Sequence, residues 1–172
     1  MKIKIPFLIL LMLLWMGVNS AHAASGDTYS VLKTGLMIMN LDDATPMATV
    51  GVYAGYGLDK NISLEVDLNR SVGGGEYSQS NGIGQYEILT TSFYGVYRFS
   101  LSRGFFLKAK VGALYENVEN NTPNGESNLA QDFGMSGGGG FGLSFSGFTI
   151  EGEVTGIDAD IILTSLGFHY QF

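Results

Sequence analysis

From Tyr29 onward, apolar and polar residues alternate over long stretches, the spacing of one face of a β-strand rather than of a helix. Ile62, Leu64, Val66 and Leu68 alternate with Ser63, Glu65, Asp67 and Asn69. Phe105, Leu107, Ala109, Val111, Ala113 and Tyr115 alternate with a set holding Lys108, Lys110 and Glu116. Phe133, Met135, Gly137, Gly139, Phe141, Leu143 and Phe145 alternate with Gly134, Ser136, Gly138, Gly140, Gly142 and Ser144. Phe148, Ile150 and Val154 run against Thr149, Glu151, Glu153 and Thr155, and Ile162, Leu166, Phe168, Tyr170 and Phe172 against Leu163, Ser165, Gly167, His169 and Gln171. With 30–40, Met47–Gly57 and 86–99, the pattern predicts eight strands, the alternation being looser in the first, second and fourth.

The links between these runs are of two kinds. Those at 58–61, 100–104 and 146–147 are short, whereas 41–46, 72–85 and 118–132 are long and polar, and the link near 157–160 is shorter but acidic. A meander with short turns at one end and long loops at the other predicts an all-β fold, an eight-stranded antiparallel up-and-down transmembrane β-barrel of the outer-membrane kind. A soluble eight-stranded carrier with an apolar interior fits the alternation equally well, so other features must choose between them. The polar set carries four cations (Lys33, Arg98, Lys108, Lys110) and five anions (Glu65, Asp67, Glu116, Glu151, Glu153), diluted with Gly and Ser. That near-balance suits ion pairs in a narrow polar lumen better than a solvated face. Phe99, Phe105, Phe145, Phe148 and Phe172 gather at the short-turn end as an aromatic girdle, with Tyr86, Tyr115 and Phe133 as candidates for the other interface.

Residues 1–23 read as a cleaved signal peptide: Lys2 and Lys4, an apolar run over 7–18, then Ala21-His22-Ala23. The run is too short for a spanning helix, which needs about 20 residues. The domain then covers 24–172, with seven cationic against sixteen anionic side chains, a formal net charge of −9. Such an acidic chain excludes a nucleic-acid partner. The absence of cysteine excludes disulfides, thiolate metal sites and a cysteine nucleophile. No cofactor is expected.

The terminal run Leu166-x-Phe168-x-Tyr170-x-Phe172 resembles the last-strand signature of Gram-negative outer-membrane proteins. With the leader and the meander, the whole mature chain resembles the small OmpA/OmpX-like or opacity-type barrel superfamily. The resemblance implies export through the periplasm, insertion by the barrel-assembly machinery with this last strand as the assembly signal, and a home among outer-membrane lipids and lipopolysaccharide. The peptidoglycan-gripping domain of OmpA-type chains has no counterpart here, so that tether is not implied.

Candidate chemistry is sparse. The resemblance brings in lipid A-modifying barrels, which use His, Ser and a carboxylate, yet His169 has lumen parity and Ser165 lies roughly 13 Å along the strand. The SGGGGFG run at 136–142 lacks the following helix that a phosphate loop requires, and its inward glycines leave room for long charged side chains. Lys33, Glu65, Asp67, Arg98, Lys108, Lys110, Glu116, Glu151, Glu153 and His169 are therefore expected to form a lumen charge network, a plug in preference to a gate. The loops and nearby strand ends carry Asp42, Asp43, Glu76, Glu87, Glu119, Glu126, Asp132, Asp158 and Asp160 around a single cation, Arg70. This rim suits divalent cations shared with lipopolysaccharide phosphates, a cationic loop-binding partner, or simple solvation. The expected function is a non-enzymatic structural or surface-interaction role through the loops, the alternative being a narrow gated channel for ions or very small solutes.

Overall fold

The computed structural model describes residues 28–39, 45–79, 82–122, 127–146, 148–157 and 161–170. The leader, Phe172, and the loop acids Asp42, Asp43, Glu126, Asp158 and Asp160 lie outside them. Nine strands follow one another: β1 (Thr28–Met39), β2 (Met47–Gly57), β3 (Ile62–Val72), β4 (Gly75–Gln79), β5 (Gly82–Ser102), β6 (Phe105–Asn121), β7 (Ser127–Phe145), β8 (Phe148–Ile157) and β9 (Ile161–Tyr170). Antiparallel pairing of β1 with β9 and of β3 with β5 closes eight of them into a ring, and β4 hangs on β5 outside it.

The closure is staggered. Register partners followed once round from Phe105 pass Leu143, Ile150, Phe168, Leu32, Val52, Leu68 and Thr91 and arrive at Tyr115, ten residues up the starting strand. With the usual spacings along and between strands, that stagger tilts the strands by roughly 40° to the barrel axis. Leu32, Val50, Val66, Phe93, Val111, Phe141, Val154 and Phe168 all face outward and are exposed, so the ring wears its apolar side chains on the outside.

At the short-turn end, the β2–β3 link is held by Asp59, whose Oδ1 accepts the Asn61 and Ile62 backbone N–H groups, each at 2.7 Å. Those two donors hold the Asp59 carboxyl below its ordinary value of 3.8. A depressed carboxylate stabilises the fold above its ordinary pKa, and the contribution is lost as pH falls through the lowered value. We expect the urea midpoint of the wild-type barrel to drop more than that of Asp59→Ala between about pH 5 and about pH 3. Parallel curves for the two proteins would refute this.

At the other end two of the expected long loops are largely strand. Within 72–85 lies β4 and the start of β5, and most of 118–132 belongs to β6 and β7. Polar and small residues predominate on both faces of these stretches, with apolar ones such as Ile83 and Leu129 too scattered to set a period, so the backbone ladder forms without the two-residue hydrophobic alternation that advertises a strand. Tyr86 is a second correction. It is not at an outer interface but fully buried inside, in an apolar cluster with Met37, Met47, Ile88, Leu114, Val118, Ile157, Ile161 and Leu163, and Tyr77 packs against it. Its hydroxyl donates to the Thr45 carbonyl at 3.0 Å. Tyr86→Phe should cost about 1 kcal/mol, the typical net worth of one hydrogen bond. Hydrogen exchange at Glu76, whose N–H is held by Thr45 Oγ1 at 2.9 Å, should quicken with it.

Candidate functional site

The lumen has two layers. Toward the long-loop end lies the apolar cluster around Tyr86, and below it lies a belt of ion pairs. Every belt member sits on the inward parity of its strand: Lys33 on β1, Glu65 and Asp67 on β3, Arg98 on β5, Lys108 and Lys110 on β6, Glu151 and Glu153 on β8. Four cations thus meet four carboxylates.

Glycine lets these side chains reach one another. Tyr29, Gly55 and Glu65 are successive register partners on β1, β2 and β3, and the Tyr29 hydroxyl passes over the glycine to donate to Glu65 at 2.6 Å. Lys108, Gly140 and Glu153 repeat this on β6, β7 and β8, as do Tyr94, Gly112 and Ser136 on β5, β6 and β7, with 2.7 Å between the two hydroxyls. A Cβ on Gly140 would meet the Glu153 Cα and Cγ at 3.1 Å, and one on Gly51 would meet the Lys33 Cε at 3.0 Å. The glycines therefore admit close neighbouring strands as well as long side chains.

Lys108 is the hub. Its Nζ lies 2.9 Å from Glu65 and 3.2 Å from Glu151, also pairs with Glu153, and sits 4.3 Å from the Tyr53 ring centre. Lys110 joins Glu153 at 2.8 Å and Asp67 at 3.7 Å, and Asp67 also takes Lys33. Arg98 reaches Glu65 at 2.5 Å and Glu151 at 3.8 Å, donates to Tyr29 and Ser63 at 2.7 Å each, and lies over the Tyr29 ring. Tyr53 donates to Glu151 from the far side of the ring. Charges this deeply buried are tolerable only when paired and hydrogen-bonded, as these are.

Of the expected network, eight residues meet in this belt. Glu116 does not belong to it: it is half-buried on β6 between Leu114 and Val118, about 20 Å up the strand from Lys110. The backbone of His169 pairs with Thr149, and its side chain lies outside the described residues. Ser165 is buried and points inward. Sequence reasoning missed Tyr29, Tyr53, Tyr94 and Ser63, although their parity matches that of Lys33, Glu65 and Arg98 and could have disclosed them.

Phe99, Phe145 and Phe148 are exposed beside the short turns, Phe105 is half-buried there, and the rings of Phe145 and Phe148 stack at 4.9 Å. Tyr115 and Phe133 meet at 4.9 Å near the other end. Leu166 and Phe168 face outward on β9, and the side chain of Tyr170 lies outside the described residues.

A family model described as an outer membrane protein beta-barrel domain matches residues 8–171. Among solved structures, Ail, the attachment invasion locus protein of Yersinia pestis, is similar at a TM-score of 0.60 and 13% identity, over 86% of this chain and 99% of Ail. Ail is also known in complex with the heparin analogue sucrose octasulfate. Neisserial surface protein A is similar at 0.65 and 10% identity, over 84% of this chain and 97% of its own. The outer membrane protein OprG from Pseudomonas aeruginosa is similar at 0.59 and 10% identity, over 87% and 99%. No curated protein sequence matches the chain. At these identities the structural likeness establishes a shared fold.

Proposed function

Because the chain belongs to the outer membrane protein beta-barrel domain family, we propose that it is a plugged, non-enzymatic barrel of the bacterial outer membrane whose work is surface interaction through its outer hairpins. The observation that carries this reading is strand length. β5, β6 and β7 have 21, 17 and 19 residues, whereas crossing the bilayer takes only about 9–11. The surplus is built strand rather than slack loop, on a scaffold whose interior is filled. Rigid scaffolds that present such extensions typically use them for recognition.

The rest of the assignment follows the same architecture. The aromatic residues at the short-turn end form the periplasmic girdle, Tyr115 and Phe133 mark the outer interface, and Leu166, Phe168, Tyr170 and Phe172 form the signal read by the barrel-assembly machinery after signal-peptide removal and export. Lipids and lipopolysaccharide surround the wall. A sulfated polyanion like that in the Ail complex would meet repulsion from Glu76, Glu87, Glu119 and Asp132, so the partner is cationic.

The test expresses the whole chain, and a version in which 118–130 is shortened to a tight turn, in cells lacking the protein. Both should keep the heat-dependent gel mobility of a folded barrel, and only the whole chain should make cells adhere to surfaces coated with basic protein. Equal adherence by both sinks the reading. One observation favours the channel alternative: Lys108 has three carboxylates in reach and so has partners to exchange. Planar-bilayer current steps that change in Lys108→Ala would support it.

A further inference from the structure

The projecting strands make a sheet with two unlike edges. β6 pairs with β7 from Ser127 to Leu143, but β8 pairs with β7 only from Ser136. Among the described residues, 127–135 therefore has a strand on one side only. The opposite edge, β4, is covered, since the Thr45 N–H donates to the Glu76 carbonyl at 3.0 Å and Thr45 Oγ1 accepts from the Glu76 N–H. On β7 the Ser144 N–H turns toward the β6 side, bonding the Gly104 carbonyl at 2.5 Å, so odd-numbered residues turn the other way. Phe133 agrees: its N–H donates to the carboxylate of Asp132 at 2.7 Å rather than to a strand. Leu129 and Gln131 share that direction.

Open edges are normally blunted with charged side chains, lysine above all, with proline or with a bulge, and here the one charge, Asp132, occupies only the Phe133 donor. The segment SNLAQDFGM at 127–135 has neither lysine nor proline, and its register with β6 is unbroken. From the geometry we infer that this edge of β7 is a docking edge for an extended basic segment of a partner protein, which adds to the sheet as a further strand. The inference rests on the surface-interaction reading above and names its site and partner chemistry.

Charge selects the occupant. No Lys or Arg occurs on β4 or β7, on β5 before Arg98, or on β6 after Lys110, while Glu76, Glu87, Glu119 and Asp132 do. Asp132 stands on the edge itself, and Glu119 is the register partner of Leu129. A second copy does not fit: two barrels in one membrane share orientation and tilt, so their β7 strands would meet crossed at about 80°, twice the tilt, and could not form a ladder. Alternation sets the side-chain pattern, with Leu129 and Phe133 exposed on one face and Ala130 and Asp132 on the other. The incoming strand therefore carries apolar residues on one face and Lys or Arg on the other.

The test places the whole barrel in lipid nanodiscs and titrates a labelled nine-residue peptide of alternating valine and lysine. The peptide should bind, and the Leu129 and Gln131 amides should gain hydrogen-exchange protection. Gln131→Pro removes an outward N–H without touching the β6 ladder and should weaken binding at least tenfold. N-methylating alternate amides of the peptide should do the same with the barrel unaltered, as should replacing its lysines by glutamates. No binding, protection elsewhere, or indifference to N-methylation overturns the edge. The two readings separate in cells: adherence kept by Gln131→Pro but lost on shortening 118–130 refutes the edge alone, and adherence kept by both refutes the surface reading too.

Discussion

Lys108→Met lowers the unfolding free energy of the barrel by about 3–5 kcal/mol, the usual cost of leaving buried charges without their partner. Methionine fills a similar volume, so the loss measures charge rather than a cavity. Three carboxylates, of Glu65, Glu151 and Glu153, share Lys108, and with it gone Glu153 keeps Lys110 while Glu65 and Glu151 share one cation, Arg98, beside their tyrosine hydrogen bonds. The excess of buried negative charge then takes up protons or admits water. Urea titration in detergent, followed by the gel shift, reads the loss directly. Adding Glu65→Gln to Lys108→Met should recover part of it, because one of the stranded carboxylates becomes neutral. A single mutant within about 0.5 kcal/mol of wild type, the range of an ordinary surface change, would mean the belt is hydrated and not structural.

Gly112→Val should be nearly as damaging, at about 3 kcal/mol or more, the upper end for overpacking. A Cβ there would run into the backbone of the adjacent strand, with the Phe93 carbonyl carbon at 2.8 Å and the Tyr94 Cα at 2.9 Å. Backbone cannot swing aside as a side chain can. The two strands would have to part, and the Tyr94 hydroxyl would lose its path over Gly112 to Ser136. Gly95→Ala is the matched control, one strand away on the outer face, where the nearest atom is the Val111 carbonyl oxygen at 3.9 Å. It should be neutral or slightly stabilising, since glycine weakens a strand interior. Similar midpoints for the two variants would show that close strand approach is not what the inward glycines provide.

Those two positions also show what a sequence can disclose. The ring strands were legible wherever water or ions lie on one side and lipid on the other, because the contrast writes a two-residue period into β6 from Phe105 to Tyr115 and into β8 from Phe148 to Val154. Where both faces meet water, as in 127–132, the period vanishes and strand was mistaken for loop. The upper lumen misled for the opposite reason: Met37, Ile88, Leu114 and Leu163 are apolar on the inward parity, so neither face looks polar, and Tyr86 was assigned to the wrong side. Membership of the charge belt was readable from parity. Which lysine meets which glutamate was not, because that depends on the register each strand takes against its neighbours, which alternation alone leaves open. Glycine spacing came closest to a usable signal. A glycine opposite a long polar residue, with an acceptor on the next strand, recurs at Gly55, Gly112 and Gly140.

The belt also bears on how the protein assembles. Two of its bonds cross the lumen between distant strands, Tyr53 to Glu151 and Arg98 to Glu151. Neither can form in an open ribbon, however well its neighbouring strands have zipped. An unclosed sheet leaves the belt on its concave side open to water, and closing it removes that water as these last bonds form. Interactions made after the rate-limiting crossing leave the folding rate almost untouched and slow the reverse reaction instead. The ion pairs thus act as a latch, setting how long a finished barrel lasts rather than how fast it is made.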